Sequence, residues 1–348
     1  MTLKVLRAGL DTVEVSFSGA FSDEVIETLD RAKALAVDRD GPVSVTFGLT
    51  ELQVMPKAFG YWTWRLVDPR FHIVGKRTAG SGRAVAQVRL SSFGLANEHP
   101  EMLWTLVTAT LANLGSFHEL AVSRADVCVD IQGWAPTPDE MRNVVTRVSY
   151  RATHGTERQI QTYQFGKKTL LRVYNKSEEL TASKKTWLRE LWGHAEGFDP
   201  SEDVWRIEFQ AAAQVLREIG IGCADDLFSR PGAVLDYGLT WAQLRVPSKD
   251  ATKTRWPEDP RWTTIRSAVF DGTPLRRRIR PAELMTLDAA KSRIIGLAAL
   301  AAAYFETTDY LDALQQLSFA AEAHMMLEGI DFATLVADKR RRVLANDL

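Results

Sequence analysis

The sequence predicts an α+β protein in which duplicated strand-helix-strand units form mainly antiparallel sheets, followed by a helical C-terminal region. Three observations predict it. Short segments such as "SRADVCVD", "TLLRVYNK" and "VWRIEFQ" alternate apolar and polar side chains with the two-residue period of a half-buried strand. Amphipathic helical stretches recur between such strands. "VEVSFSGAFSDEVIETL" and "VCVDIQGWAPTPDEMRNVV" both run strand, short loop, acidic helix start, amphipathic helix, the trace of an internal duplication. Beyond Tyr237 the strand pattern gives way to a Trp- and Arg-rich connector and then to Ala- and Leu-rich helical segments.

In chain order, the first half reads as a strand "DTVEVSFSG", a helix "FSDEVIETLDRAKALAV" and a strand "PVSVTFG". Strands around "KAFGYWTWRLV", "FHIVGK" and "AVAQVRLSS" follow, then an apolar helix from Pro100 to Leu114. The second half repeats the order with "RADVCVDIQGW", a helix "TPDEMRNVVTRVSY" opened by a Thr137 and Glu140 capping box, strands "IQTYQFGK", "TLLRVYNK" and "VWRIEFQ", and a helix "AAAQVLREIG". Pro281 suits a helix start and Gly329 a helix stop in the last region. The expected domains are an α+β half at 1–120 that scaffolds or grips its ligand, a catalytic α+β half at 121–235, and a basic, aromatic connector with helices at 236–348.

Composition narrows the class. Of 348 residues, 45% are hydrophobic and 25% charged, which is ordinary for a globular protein with a core. Two widely separated cysteines, Cys128 and Cys223, argue against a disulfide framework or a cysteine zinc site. With neither a signal peptide nor an apolar run long enough to span a bilayer, a cytoplasmic protein without a membrane partner is expected. The net charge of -1 hides local excesses. Residues 236–280 carry ten Lys and Arg against five Asp and Glu, interleaved with Trp241, Trp256 and Trp262, and residues 151–190 carry nine against four. Basic residues alternating with aromatics suit phosphates and stacked bases, so nucleic acid is the expected partner.

The strands carry the chemistry. Period two places Arg124, Asp126, Cys128 and Asp130 on one face of their strand, Arg206, Glu208 and Gln210 on one face of theirs, and Arg172, Tyr174 and Lys176 on one face of a third. If the three are neighbours, one open face collects carboxylates, arginines, a lysine and a tyrosine. Asp126, Asp130 and Glu208 offer the hard oxygens that Mg²⁺ or Mn²⁺ asks for. Arg172, Arg206 and Lys176 can offset charge on a phosphodiester, and Tyr174 is the expected nucleophile. A free phenol has a pKa of about 10, so about one in a thousand is ionised at neutral pH and a neighbour must activate it. Tyr163 in "TYQFGKK" is the rival nucleophile. The six histidines form neither a His-apolar-His triplet nor HExxH, so a histidine metal site is not expected.

The ordered set "SRADVCVD", "TYQFGKKTLLRVYNKSEE" and "WRIEFQ", within residues 120–215, resembles the replication initiation factors of rolling-circle plasmids and related phages and mobile elements. The resemblance implies nicking of one strand of a replication origin, in single-stranded or hairpin form, by tyrosine transesterification. The strand would be held as a 5′-phosphotyrosine and later rejoined, with Mg²⁺ or Mn²⁺ required. It puts the nucleophile on Tyr174, the metal-site strands on Asp126 and Glu208, and phosphate contacts on Arg172, Lys176 and Arg206. The glycine turn "FGKKT" departs from the family's glycine-serine form. Lys167 and Lys168 there, and Arg255, Arg276, Arg277 and Arg278 in the connector, are the expected DNA contacts. A helicase partner and a homodimer are further expectations. The neighbouring readings are a conjugative relaxase of an integrative element and a non-catalytic nucleic-acid-binding protein.

Overall fold

The computed structural model describes residues 3–80, 83–155, 160–183, 187–268, 270, 287–334 and 336. The first half contains β1 (Lys4–Phe21), α1 (Asp23–Asp38), β2 (Val43–Phe47), β3 (Thr50–Val54), β4 (Trp64–Val67), β5 (Phe71–Gly75), β6 (Ala86–Leu90), α2 (Ser92–Asn97) and α3 (Pro100–Leu114). Then come β7 (Gly115–Gln132), α4 (Pro138–Met141), β8 (Val144–Thr146), β9 (Arg151–Gly155), β10 (Ile160–Gly166), β11 (Leu170–Asn175), α5 (Lys176–Ser183), α6 (Trp187–Trp192) and β12 (Trp205–Ala212). The chain continues through α7 (Ala213–Glu218), α8 (Ala224–Ser229), α9 (Pro231–Trp241), β13 (Ala242–Leu244), α10 (Pro260–Arg266), α11 (Leu287–Tyr304) and α12 (Tyr310–Glu328).

Two compact units result, one of residues 1–43 and 53–279, the other of 44–52 and 280–348. In the first, the sheet runs from the last two residues of β3, Gln53 and Val54, through β4-β5-β6-β1-β7-β12-β11-β10-β9 with every pair antiparallel. The order descends alike on both sides of the central β1–β7 pair: β1, β6, β5, β4, β3 one way and β7, β12, β11, β10, β9 the other. This is the duplication that the sequence foreshadows, in strand order. The expected division at residues 120 and 235 does not fall between units. The first boundary lies inside β7, which pairs with β1 along its length, and the second inside α9.

The apolar sheet face is the main core. Val13, Val15, Val88, Val127, Val129, Ile207 and Phe209 are buried on it. Helix α1 starts where Ser22 accepts a hydrogen bond from the Val25 N–H and buries Val25, Leu29, Ala32 and Ala36. Helix α3, with proline in its first turn, buries Leu103, Val107, Leu111 and Leu114, and its Trp104 stacks on Phe17 at 5.9 Å. Helix α9 lies against β12 at Gly238, where a Cβ would stand 2.3 Å from the Phe209 ring; only glycine lets helix and strand approach so closely. In the second unit, α11 and α12 pack on each other, and the small residues Ala298, Ala301 and Ala313 are buried. Gly329, at φ 65°, ends α12 as expected. Pro281 lies outside the described residues.

Two local readings need correction. The helix expected over "TPDEMRNVVTRVSY" is the short α4 alone. Its Thr137 and Glu140 capping box is present, but the β-branched Val144, Val145 and Thr146 leave the helix and pair with β13. Lys176 does not continue β11 but begins α5.

The half-buried imidazole of His72 on β5 gives the fold an acid sensitivity. Burial, and then the charges of Arg65 and Arg89, lower its pKa from 6.5 to about 4. Between those values the unfolded chain binds a proton that the folded one refuses, so stability falls as pH drops from 6.5 to 4. The loss is on the order of 2 kcal/mol. Urea unfolding at pH 7 and pH 4.5 should show His72→Gln losing less stability on acidification than the parent.

Candidate active site on the polar face of the sheet

Strands β7, β12 and β11 are neighbours, and their register assembles the expected group on one face. Arg172 lies opposite Glu208, Tyr174 opposite Arg206, Arg206 opposite Asp130, and Gln210 opposite Asp126. Tyr163 pairs with Val173 on the other face, is 3% exposed and donates its hydroxyl to the Pro136 carbonyl at 3.2 Å. It belongs to the core, on the face opposite Tyr174.

The face is not the open surface expected. Helices α5 and α6 close one end, where Leu180, Leu188 and Trp192 form a small second core with Leu6 and Val204. Beneath it Arg206, fully buried, donates to both oxygens of Asp130 at 2.6 and 2.8 Å and to Asp11 at 2.5 Å. The indole of Trp192 donates to Asp130 at 2.8 Å. Burial alone would raise the Asp130 carboxyl, but Arg206 outweighs it and holds it below the ordinary range. Burial likewise opposes the Arg206 charge, yet Asp130 holds the guanidinium well above its usual value. Arg206 and Asp130 therefore form a structural ion pair out of reach of a substrate. This corrects both the phosphate contact expected of Arg206 and the metal ligand expected of Asp130.

Asp11 was missed because it sits at an irregularity between Leu10 and Thr12, where β1 and β7 shift register. Such a bulge re-aims one side chain against the alternation that makes strands legible. Trp192 comes from a helix 62 residues from Asp130 in sequence, and nothing local announces it.

The other end keeps partial access, with the Arg172 side chain 34% and that of Arg124 26% exposed. The half-buried Tyr174 donates its hydroxyl to Glu208 Oε2 at 2.8 Å, while Arg172 bonds Glu208 Oε1. Lys176, at the start of α5, brings its ammonium 3.4 Å from the Tyr174 hydroxyl and 2.5 Å from Glu179. Burial, then the charge of Glu208, raises the phenol's pKa well above its usual value. Asp126 takes two bonds from Arg124, at 2.8 and 2.5 Å. Burial, with Glu208 beside it, still pushes its carboxyl up to about 6.

Both oxygens of Asp126, Asp130 and Glu208 thus already meet arginine, tyrosine or tryptophan donors. Among the described residues no three His, Cys, Asp or Glu side chains are grouped to hold one ion. In this arrangement the set does not fit Mg²⁺ or Mn²⁺: a cation between Asp126 and Glu208 would have to displace Arg124 or Arg172.

The expected DNA contacts separate. Lys167 and Lys168 are exposed in the β10–β11 turn of the hairpin that carries Tyr174, with Lys167 4.6 Å from the Tyr150 ring. Arg255 is exposed, 3.8 Å from Asp250. Arg276, Arg277 and Arg278 lie outside the described residues. The connector tryptophans all make structural contacts, and Trp262 has no face open for stacking. Trp262 is fully buried, donating to the Leu239 and Ala242 carbonyls; Trp241 packs on Phe209 at 5.7 Å; Trp256 donates to the Asp250 carbonyl.

By strand order, β5 and β6 in the first half correspond to β11 and β12. Where β11 and β12 pair Arg172 with Glu208 and Tyr174 with Arg206, β5 and β6 pair His72 with Arg89 and Val74 with Gln87. The first half has no tyrosine in this place.

No family model matches the chain. It is 23% identical over 254 residues to the uncharacterized protein ORF430 of Pseudomonas phage Pf1, a match over 63% of this chain and 56% of that relative's length. Among solved structures, it is similar to a rolling circle replication initiator protein from Geobacillus stearothermophilus, at 15% identity and a TM-score of 0.45, over 79% of this chain and 98% of that one. Among the described residues, no helix is long and apolar enough to cross a membrane.

Proposed function

We propose that this chain initiates rolling-circle replication by nicking one DNA strand with Tyr174 and later rejoining it. The observation that carries the reading is the Tyr174–Glu208 hydrogen bond of 2.8 Å, with Arg172 on the other oxygen of Glu208 and Lys176 3.4 Å from the phenol. As the tyrosine oxygen attacks phosphorus, its proton passes to Glu208. Lys176 offsets the charge growing on the phenol oxygen, and Arg172 and Arg124 offset that on the phosphate. The bond from phosphorus to the 3′ oxygen breaks, and that oxygen takes up a proton from water, leaving a 3′-hydroxyl on one fragment and a 5′-phosphotyrosine on the other. Attack by a 3′-hydroxyl reverses the step and rejoins the strand. The raised phenol pKa suits this order: the tyrosine stays neutral until a phosphate and its arginines are in place.

A single-stranded origin oligonucleotide with Mg²⁺ or Mn²⁺ present tests it. Tyr174→Phe should fold, with stability within about 3 kcal/mol of the parent, since the hydroxyl's bond to Glu208 and the one it accepts from Lys176 are lost, and should not cleave. Tyr163→Phe should cleave normally. Cleavage by Tyr174→Phe at the parent rate would overturn the reading.

A further inference from the structure

Far from Tyr174 along the sheet, the first half builds a patch that the nicking chemistry does not use. Residues 55–85 carry six Lys and Arg against one acid, Asp68, which Arg70 neutralises at 2.8 Å. Within that stretch the β3–β4 loop exposes Phe59, at 58%, and Tyr61, at 73%, with Trp62 beside them. Tyr61 and Trp62 lie 4.8 Å apart between ring centroids. The Arg65 guanidinium sits 4.4 Å from the centre of the Phe59 ring, and the Lys76 ammonium 5.0 Å from Tyr61 and 5.6 Å from Trp62. Arg83 joins Tyr61 and Lys76 around a shallow depression. Among the described residues, Arg65, Lys76 and Arg83 have no carboxylate within ion-pair distance.

The loop is held in shape. Trp62 N–H bonds the Phe59 carbonyl at 3.1 Å across a turn whose Gly60 has φ 52°, Thr63 N–H bonds the Gly75 carbonyl at 2.8 Å, and Lys33 donates to the Thr63 carbonyl at 2.7 Å. The rings are thus displayed on a braced turn, which lowers the cost of ordering them around a ligand. The register also gives the patch a direction. Arg65 lies opposite Val74, and Val74 opposite Gln87; two residues along, Arg89 lies opposite Glu14, and Glu14 opposite Arg124. Arg65, Arg89 and Arg124 therefore share the sheet face of Asp126 and Tyr174.

We propose that Phe59, Tyr61 and Trp62, with Arg65, Lys76 and Arg83, bind unpaired bases and phosphates of single-stranded DNA that runs over this face toward Tyr174. Exposed rings stack on any base, and cations at their edges meet the flanking phosphates. The inference extends the nicking reading, since it says where the unpaired strand lies away from the cut, but it is read out by binding alone.

Binding of a fluorescein-labelled 20-nucleotide oligo(dT) to the full chain carrying Tyr174→Phe, followed by anisotropy across a salt series, tests it. Adding Phe59→Ala with Tyr61→Ala should weaken binding about tenfold or more and leave the salt slope nearly unchanged. Lys76→Ala with Arg83→Ala should flatten the slope of log affinity against log salt by about 1.4, two phosphate contacts on a single strand. Tyr61→Trp should restore binding when Phe59 is intact, which a merely misfolded variant could not do. The proposal is overturned if the double aromatic variant binds oligo(dT) within twofold of its parent. It is also overturned if the variants lose duplex binding equally, or lose binding to anionic phospholipid vesicles in place of the oligonucleotide. If no tyrosine adduct ever forms but the patch variants still lose oligo(dT), the nicking reading fails and this surface stands.

Discussion

Arg206→Ala should cost the protein about 3–5 kcal/mol of stability, the penalty for stranding a buried partner charge. The reasoning runs from register to energy. Arg206 and Asp130 face each other across β12 and β7, both fully buried beneath α6, and the guanidinium supplies two of the three donors on Asp130. Without it, Asp130 keeps only the Trp192 indole, and Asp11 loses its buried cation. Domains of this kind have only about 5–15 kcal/mol to lose, so urea unfolding should show a large drop in midpoint or no cooperative transition. Replacing both partners with apolar residues, Arg206→Met with Asp130→Leu, should recover most of the stability, because neither desolvated charge remains. If Arg206→Ala folds as well as the parent and loses only DNA binding, Arg206 is a phosphate contact after all and α6 does not seal it.

Glu208→Gln should slow strand cleavage by about a hundredfold to ten-thousandfold, the range for losing a positioned general base. The amide keeps the shape of the side chain, but its NH2 cannot accept. With both carboxylate oxygens bonded in the parent, either the Arg172 or the Tyr174 contact is lost, and stability should fall by about 1–3 kcal/mol while the fold and the oligonucleotide affinity are kept. What disappears is the proton acceptor 2.8 Å from the phenol. Single-turnover cleavage beside anisotropy binding separates the two effects. Recovery of the variant by added Mn²⁺ would contradict this assignment and give Glu208 to a cation, as the family resemblance implies.

Much of this site was legible in the sequence because alternation is a robust signal. "RADVCVD", "LLRVYN" and "WRIEFQ" each separate valine, leucine and aromatic side chains from charged ones, and the register joins their charged sides as expected. Alternation says that two faces differ; it does not say which is solvated. The burial of Arg206 and Asp130 depends on α5 and α6 folding back over the sheet, and those short helices leave only a weak pattern, with Leu180 the residue that α5 contributes to the second core. The saturation of Asp126 by Arg124, its neighbour two places back on β7, is equally invisible, since period two puts both on one face without saying whether they touch. The aromatic loop at 57–62 was read as part of a strand; Gly60, at positive φ, breaks it into a turn and turns Phe59 and Tyr61 outward.

The central claim is that Tyr174 becomes covalently joined to DNA. Incubating the protein with a single-stranded origin oligonucleotide and Mg²⁺ or Mn²⁺, digesting it with protease and nuclease, and sequencing the peptide-nucleotide adduct by mass spectrometry tests that claim most directly. The account predicts a nucleotide 5′-phosphate on Tyr174, in the peptide containing "VYNK", and none in Tyr174→Phe. An adduct on another residue, or cleavage that leaves free 5′-phosphate ends with no adduct at all, would contradict it.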